Sequence, residues 1–108
     1  MATRKYEVDH KGEFEDFFKQ KVVEGEYVVC IGRDLSNSTL LKVAKVIDVE
    51  LVANRWKIWC HVAKWDNSTM SFVREGPGAF RKPDSLLRIT LEDMNEDMYY
   101  SMLEAFND

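Results

Sequence analysis

A chain of 108 residues, 45% hydrophobic and 31% charged, has the size and composition of one globular domain with a single core. The net charge of −4 conceals an asymmetry. Residues 1–90 hold all fifteen Lys and Arg against thirteen acids, and residues 91–108 hold six acids and no base. That balance excludes a general polyanion binder, the lack of a run of ~18 apolar residues excludes a membrane-spanning helix, and two cysteines are too few for a disulfide scaffold.

The start, MATRKYEVD, is too polar for a signal peptide, so the expected compartment is the cytoplasm. Asp9 then opens a segment in which Phe14, Phe17, Phe18 and Val22 recur at helical spacing. Acids come early (Glu13, Glu15, Asp16) and Lys19 and Lys21 late, as a helix dipole favours, and Gly25 is a natural stop. The pattern predicts an N-terminal helix over about residues 10–23.

From Glu26 the period changes. YVVCIG, LLKVAKVIDVELV, RWKIWCHVAKW and TMSFVRE are rich in β-branched and aromatic residues, and RDLSNST, ANR and DNS between them are turn chemistry. Gaps this short predict antiparallel neighbours. The Asn-Ser-Thr triplets at Asn37 and Asn67 match a glycosylation pattern but read here as turns. GPG at 76–78 reads as a loop tip between strands, and a last short strand is expected near Leu87–Thr90. Thr90 with Asp93 then makes a capping-box-like start to a C-terminal helix over about residues 91–106. Its stripe of Leu91, Met94, Met98, Met102, Leu103 and Phe106 is expected to pack on the strands.

RWKIWCHVAKW, residues 55–65, is the most informative stretch. Alternation places Trp56, Ile58, Cys60 and Val62 on one face, a uniform apolar row that reads as core. The opposite face carries Arg55, Lys57, Trp59, His61 and Trp65. Interleaved cations and aromatics suit base stacking with phosphate contacts, and equally suit a protein–protein hot spot. The plainer reading puts Trp59 and Trp65 beneath a terminal helix, with Arg55 and Lys57 at its rim.

Catalytic chemistry is missing. Cys60 and His61 point to opposite faces, and His10 and Cys30 show no ligand spacing, so no metal is expected. GPG lacks the Lys-Ser/Thr of a phosphate loop, and no Ser-His-Asp or Cys-His set can be placed. The chain therefore reads as no enzyme, with no cofactor and no small-molecule substrate.

Three stretches carry a family likeness: Gly25, Glu26, Tyr27 and Val28; then Lys42, Val43, Lys45 and Val46; then Arg81, Lys82, Pro83, Asp84, Leu86, Leu87 and Ile89. Over residues 25–90 the chain resembles small SH3-like barrel proteins of tailed bacteriophages, departing at Leu41, where the second-strand pattern has Gly. The expected fold is thus α+β: a five-stranded antiparallel SH3-like β-barrel flanked by an N-terminal and a C-terminal α-helix. The resemblance implies a phage accessory protein that acts by binding, such as an inhibitor of a host or phage protein. Nucleic acid is the alternative partner. The candidate contact residues are Arg55, Lys57, Trp59, His61 and Trp65, with Arg81 and Lys82 in support.

Overall fold

The computed structural model describes residues 8–31 and 41–107, with backbone alone over residues 8–11. The expected turn at RDLSNST, with Asn37, lies outside these residues, as does the side chain of His10. Among the described residues, eight strands precede one α-helix: β1 (Val8–Lys11), β2 (Glu13–Glu15), β3 (Lys21–Val23), β4 (Tyr27–Cys30), β5 (Lys42–Val52), β6 (Arg55–Asp66), β7 (Ser71–Arg81), β8 (Leu86–Ile89) and α1 (Glu96–Ala105). The main sheet runs β7-β6-β5-β4-β8, with β1 pairing the far end of β5, and β2–β3 form a separate two-stranded hairpin.

Three expectations are corrected by this fold. The N-terminal helix does not form: the segment from Asp9 to Val23 makes β1 and the β2–β3 hairpin instead. Gly12 at φ 90° and Lys19 at φ 63° adopt left-handed backbone that no α-helix accommodates. The Asp16 carboxylate also captures local donors, accepting from the Phe18 and Gln20 amides at 2.9 and 2.8 Å, which stabilises a turn in place of a helix. Phe14 and Val22 are buried as a cross-strand pair, whereas Phe17 and Phe18 stand exposed at the turn.

The sheet is also not a closed five-stranded barrel, because its end strands β7 and β8 do not pair with each other. Other groups bond to both end strands. The hairpin turn seats on β8: the Phe17 amide donates to the Leu86 carbonyl at 3.0 Å, and the Arg88 amide donates to Asp16 Oδ2 at 2.7 Å. On β7, the Phe72 amide donates to the Ser101 hydroxyl of α1 at 3.0 Å. These contacts occupy part of each edge and limit pairing with other chains there.

Each sheet face has its own core. The inner face carries Val28, Cys30, Ala44, Val46, Val49, Ile58, Cys60, Val62 and Leu86, roofed by Phe14 and Val22 of the hairpin. The outer face carries Val43, Ala63, Phe72 and Ile89, covered at one end by Met102 and Phe106 of α1. The resulting layers are hairpin, sheet and helix.

The C-terminal helix is shorter than its stripe suggests. Asp93 accepts from the Thr90 amide and hydroxyl at 2.7 and 3.1 Å, but this box caps only a 3-10 turn, Leu91–Asp93. Asn95 then accepts from the Asp97 and Met98 amides and restarts the chain as α1. Met102 and Phe106 are buried as the stripe predicts, and Leu91 is exposed.

Candidate functional site

Strand β6 passes beneath both layers, and its two faces are unlike. Ile58, Cys60 and Val62 are buried in the inner core, with half-buried Trp56 at the margin, edge-on to Phe14 at 6.3 Å. The alternation read from the sequence is therefore the alternation in the fold. Burial pushes the Cys60 thiol up to about 12, with Cys30 nearby adding to the effect, so it is a neutral core group at ordinary pH.

The opposite face of β6 is divided by α1. Trp65 lies at the covered end, packed against Phe72 at 5.1 Å within the outer core. Trp59, His61 and Lys57 lie at the other end, where they are half-buried or exposed. Register brings further side chains to this uncovered half. Trp59 stands opposite Phe80 of β7 and Asp48 of β5, Lys57 opposite Glu50, and His61 opposite Lys45. Arg74, opposite Ala63, is the next outward side chain on β7 and is exposed.

The GPG segment is not a loop tip but part of β7. Cys60 pairs with Ala79 and Val62 with Glu75, so His61 alone faces residues 76–78 across a bulge. The bulge does structural work for Trp59. A Cβ on Gly78 would stand 2.7 Å from the indole Cζ2 and 2.8 Å from the Cys60 carbonyl oxygen, so the indole lies directly on the Gly78 backbone. Phe80 meets that indole edge-on at 4.9 Å while remaining 66% exposed. Together the two rings form an apolar ledge on a rigid strand pair. Lys45, Lys57 and Arg74 surround it, with Asp48 and Glu50 at the margin facing β5.

Beside the ledge, His61 feels positive charge. His61 is held below its ordinary pKa, first by burial and then by the charges of Arg74 and Lys45. These effects favour the neutral imidazole over the charged one, and in its neutral form the ring donates one hydrogen bond and accepts another.

The remaining candidates are dispersed. Arg81 stands opposite Ile58, on the inner-face side of β7, and its charge acts on Cys60 rather than on Trp59. Arg55 and Lys82 share a depression with Trp56, Pro83 and Asp84 at the far end of β6. Arg55 is six residues from His61, about 20 Å along an extended strand. A neighbouring groove of ≈ 810 Å³ runs between Trp56, Phe14, Leu51 and Pro83, flanked by Glu13, Glu15, Lys19 and Lys21. Its balanced charges select no ligand class. Phe80, Lys45 and Arg74 carry no signal along their own segments, and only the register of β5, β6 and β7 reveals them.

Among the described residues, no group of three His, Cys, Asp or Glu side chains is placed to hold a metal ion. No helix among them is long and apolar enough to cross a membrane. Compared with known proteins, the chain matches no family model, no curated protein and no solved structure.

Proposed function

We infer that this chain is a non-catalytic binding module that docks a partner protein on the uncovered half of the outer sheet face. The observation that carries the reading is the Trp59–Phe80 ledge. A 66% exposed phenylalanine on an indole locked by a backbone contact is costly to leave in water and rigid enough to bind with little ordering entropy. Aromatic anchors ringed by charged groups are the composition of protein hot spots. The resemblance of residues 25–90 to small phage proteins supports a host or phage protein as the partner, met in the cytoplasm, whose activity the contact alters.

Nucleic acid is the second reading, favoured by Lys45, Lys57 and Arg74 around stackable rings. Asp48 and Glu50 on the same face, and the net charge of −4, weigh against it. The test is capture from a bacterial lysate by wild-type chain and by Phe80→Ser, with and without nuclease. A protein retained by wild type after nuclease, and lost with Phe80→Ser at unchanged melting temperature, supports docking on the ledge. Equal retention by both would refute it, and loss on nuclease treatment would transfer the ledge to nucleic acid.

A further inference from the structure

On the side of the sheet away from the ledge, the β2–β3 hairpin ends in two phenylalanines. Phe17 and Phe18 are 54% and 64% exposed, with ring centroids 5.6 Å apart. The tip that carries them is fixed. The Phe17 amide donates to the Leu86 carbonyl at 3.0 Å, and the Asp16 carboxylate accepts from the Phe18, Gln20 and Arg88 amides at 2.9, 2.8 and 2.7 Å. Rings held out on a rigid tip lose little freedom when something covers them.

The groove of ≈ 810 Å³ opens beside this tip. Glu15 and Lys19, which bracket the phenylalanine pair in sequence, both line it, and Phe14, Leu51, Trp56 and Pro83 supply its apolar part. Lys21 stands opposite Glu15 across the hairpin, but its ammonium pairs with Glu13 at 2.8 Å. Glu15 and Lys19 are exposed, and among the described residues neither makes an ion pair. One surface therefore carries an apolar projection, an apolar hollow, an acid and a base. Each is the complement of another, which is what a contact between two identical patches requires.

We propose that tip and groove form a two-fold contact between copies of this chain. Phe17 and Phe18 of each copy enter the groove of the other, and Glu15 of each meets Lys19 of the other. A ligand of single charge sign meets one opposing charge on this rim, whereas a second copy in reversed orientation sets each charge against its opposite. The contact is small. An aromatic side chain has about 150–250 Å² to bury, so two rings a little over half exposed contribute roughly 200 Å² per copy, against about 800 Å² per partner in a stable interface. The dimer is accordingly weak and concentration-dependent. It leaves the Trp59–Phe80 ledge uncovered, and it stands or falls independently of docking there.

The test is sedimentation velocity on the full chain over a concentration series reaching ~1 mM, the range in which so small an interface associates. Wild type is expected to pass from monomer to dimer. Phe18→Ser, at an exposed position, should raise the dissociation constant about tenfold or more at unchanged melting temperature. Glu15→Lys and Lys19→Glu should each weaken the dimer, and an equimolar mixture of the two variants should associate more tightly than either alone. Both variants keep a net negative charge, so bulk attraction does not account for a gain on mixing. A wild-type chain that stays monomeric throughout would overturn the proposal. So would a dimer indifferent to Phe18→Ser, or a mixture no tighter than its components. A monomer that floats with phosphatidylglycerol vesicles, and ceases to float as Phe18→Ser, would assign the tip to a lipid surface and overturn the dimer.

Discussion

Replacing Gly78 by alanine tests the geometry on which the ledge depends. The new methyl would sit 2.7 Å from the Trp59 Cζ2 and 2.8 Å from the Cys60 carbonyl oxygen, against a comfortable carbon contact of about 3.5–4.0 Å. The indole could swing away, but the carbonyl belongs to the middle of β6 and cannot withdraw without breaking register. Gly78 also has φ 134°, a conformation that costs a side-chain-bearing residue about 1–3 kcal/mol. Adding overpacking of about 1–3 kcal/mol gives an expected loss of about 3 kcal/mol. Gly76→Ala is the control: its φ is 61°, but its Cβ meets nothing within 4 Å, so only backbone strain of about 1 kcal/mol applies. Urea unfolding followed by far-UV circular dichroism measures both without relying on the three tryptophans. A difference of about 2 kcal/mol between the two variants is expected. Equal destabilisation by Gly78→Ala and Gly76→Ala would refute the claim that the indole lies on the Gly78 backbone.

Asp16 is 4% exposed and accepts from Phe18, Gln20 and Arg88, so Asp16→Asn should cost about 2 kcal/mol and release the hairpin turn from β8. Faster amide exchange at Arg88 in that variant is the check, and unchanged protection there would contradict the clamp. Cys60 should resist iodoacetamide at pH 8 until the chain unfolds, because burial raises its pKa from 9.0 to about 12. The unfolded thiol ionises first, so this contribution to stability is full below about pH 9 and is lost as pH rises toward 12. Native-state labelling as fast as in denaturant, read by mass spectrometry, would show the site open. For His61 the sign is opposite: its folded pKa is depressed, so its contribution is present above its ordinary value of 6.5 and is lost as pH falls below that through the folded pKa. Removing residues 95–108 uncovers Val43, Ala63, Phe72 and Ile89, and each large apolar side chain exposed forfeits about 1.5–3 kcal/mol. The truncated chain should aggregate or lose its melting transition, and an unchanged transition would make α1 a free arm.

What the sequence shows best is alternation within a single strand. Residues 55–62 sort their faces correctly because a two-residue period needs no knowledge of neighbours. The segment around Phe14–Val22 fits a helical period equally well. It becomes a hairpin because Gly12 and Lys19 take positive φ and Asp16 binds its own turn, which are local choices a hydrophobic pattern does not encode. Gly-Pro-Gly looks like punctuation, yet β6 is twelve residues long and β7 continues past the bulge to stay paired with it. The candidate site follows the same division. Trp59 and His61 are readable along β6. Phe80, Lys45 and Arg74 join them only through cross-strand register, and Arg81 leaves them because β7 alternates as β6 does. Trp65 is taken by α1, whose docking end depends on tertiary packing alone.

Site-specific photo-crosslinking tests the docking claim most directly. A benzoyl-phenylalanine replaces Phe80 on the ledge or Met70 at the end covered by α1, two side chains of matched exposure at 66% and 64%. In nuclease-treated bacterial lysate, a covalent protein adduct at position 80 and none at position 70 is the predicted result. Adducts at both positions, or at neither, would contradict the ledge as the contact surface.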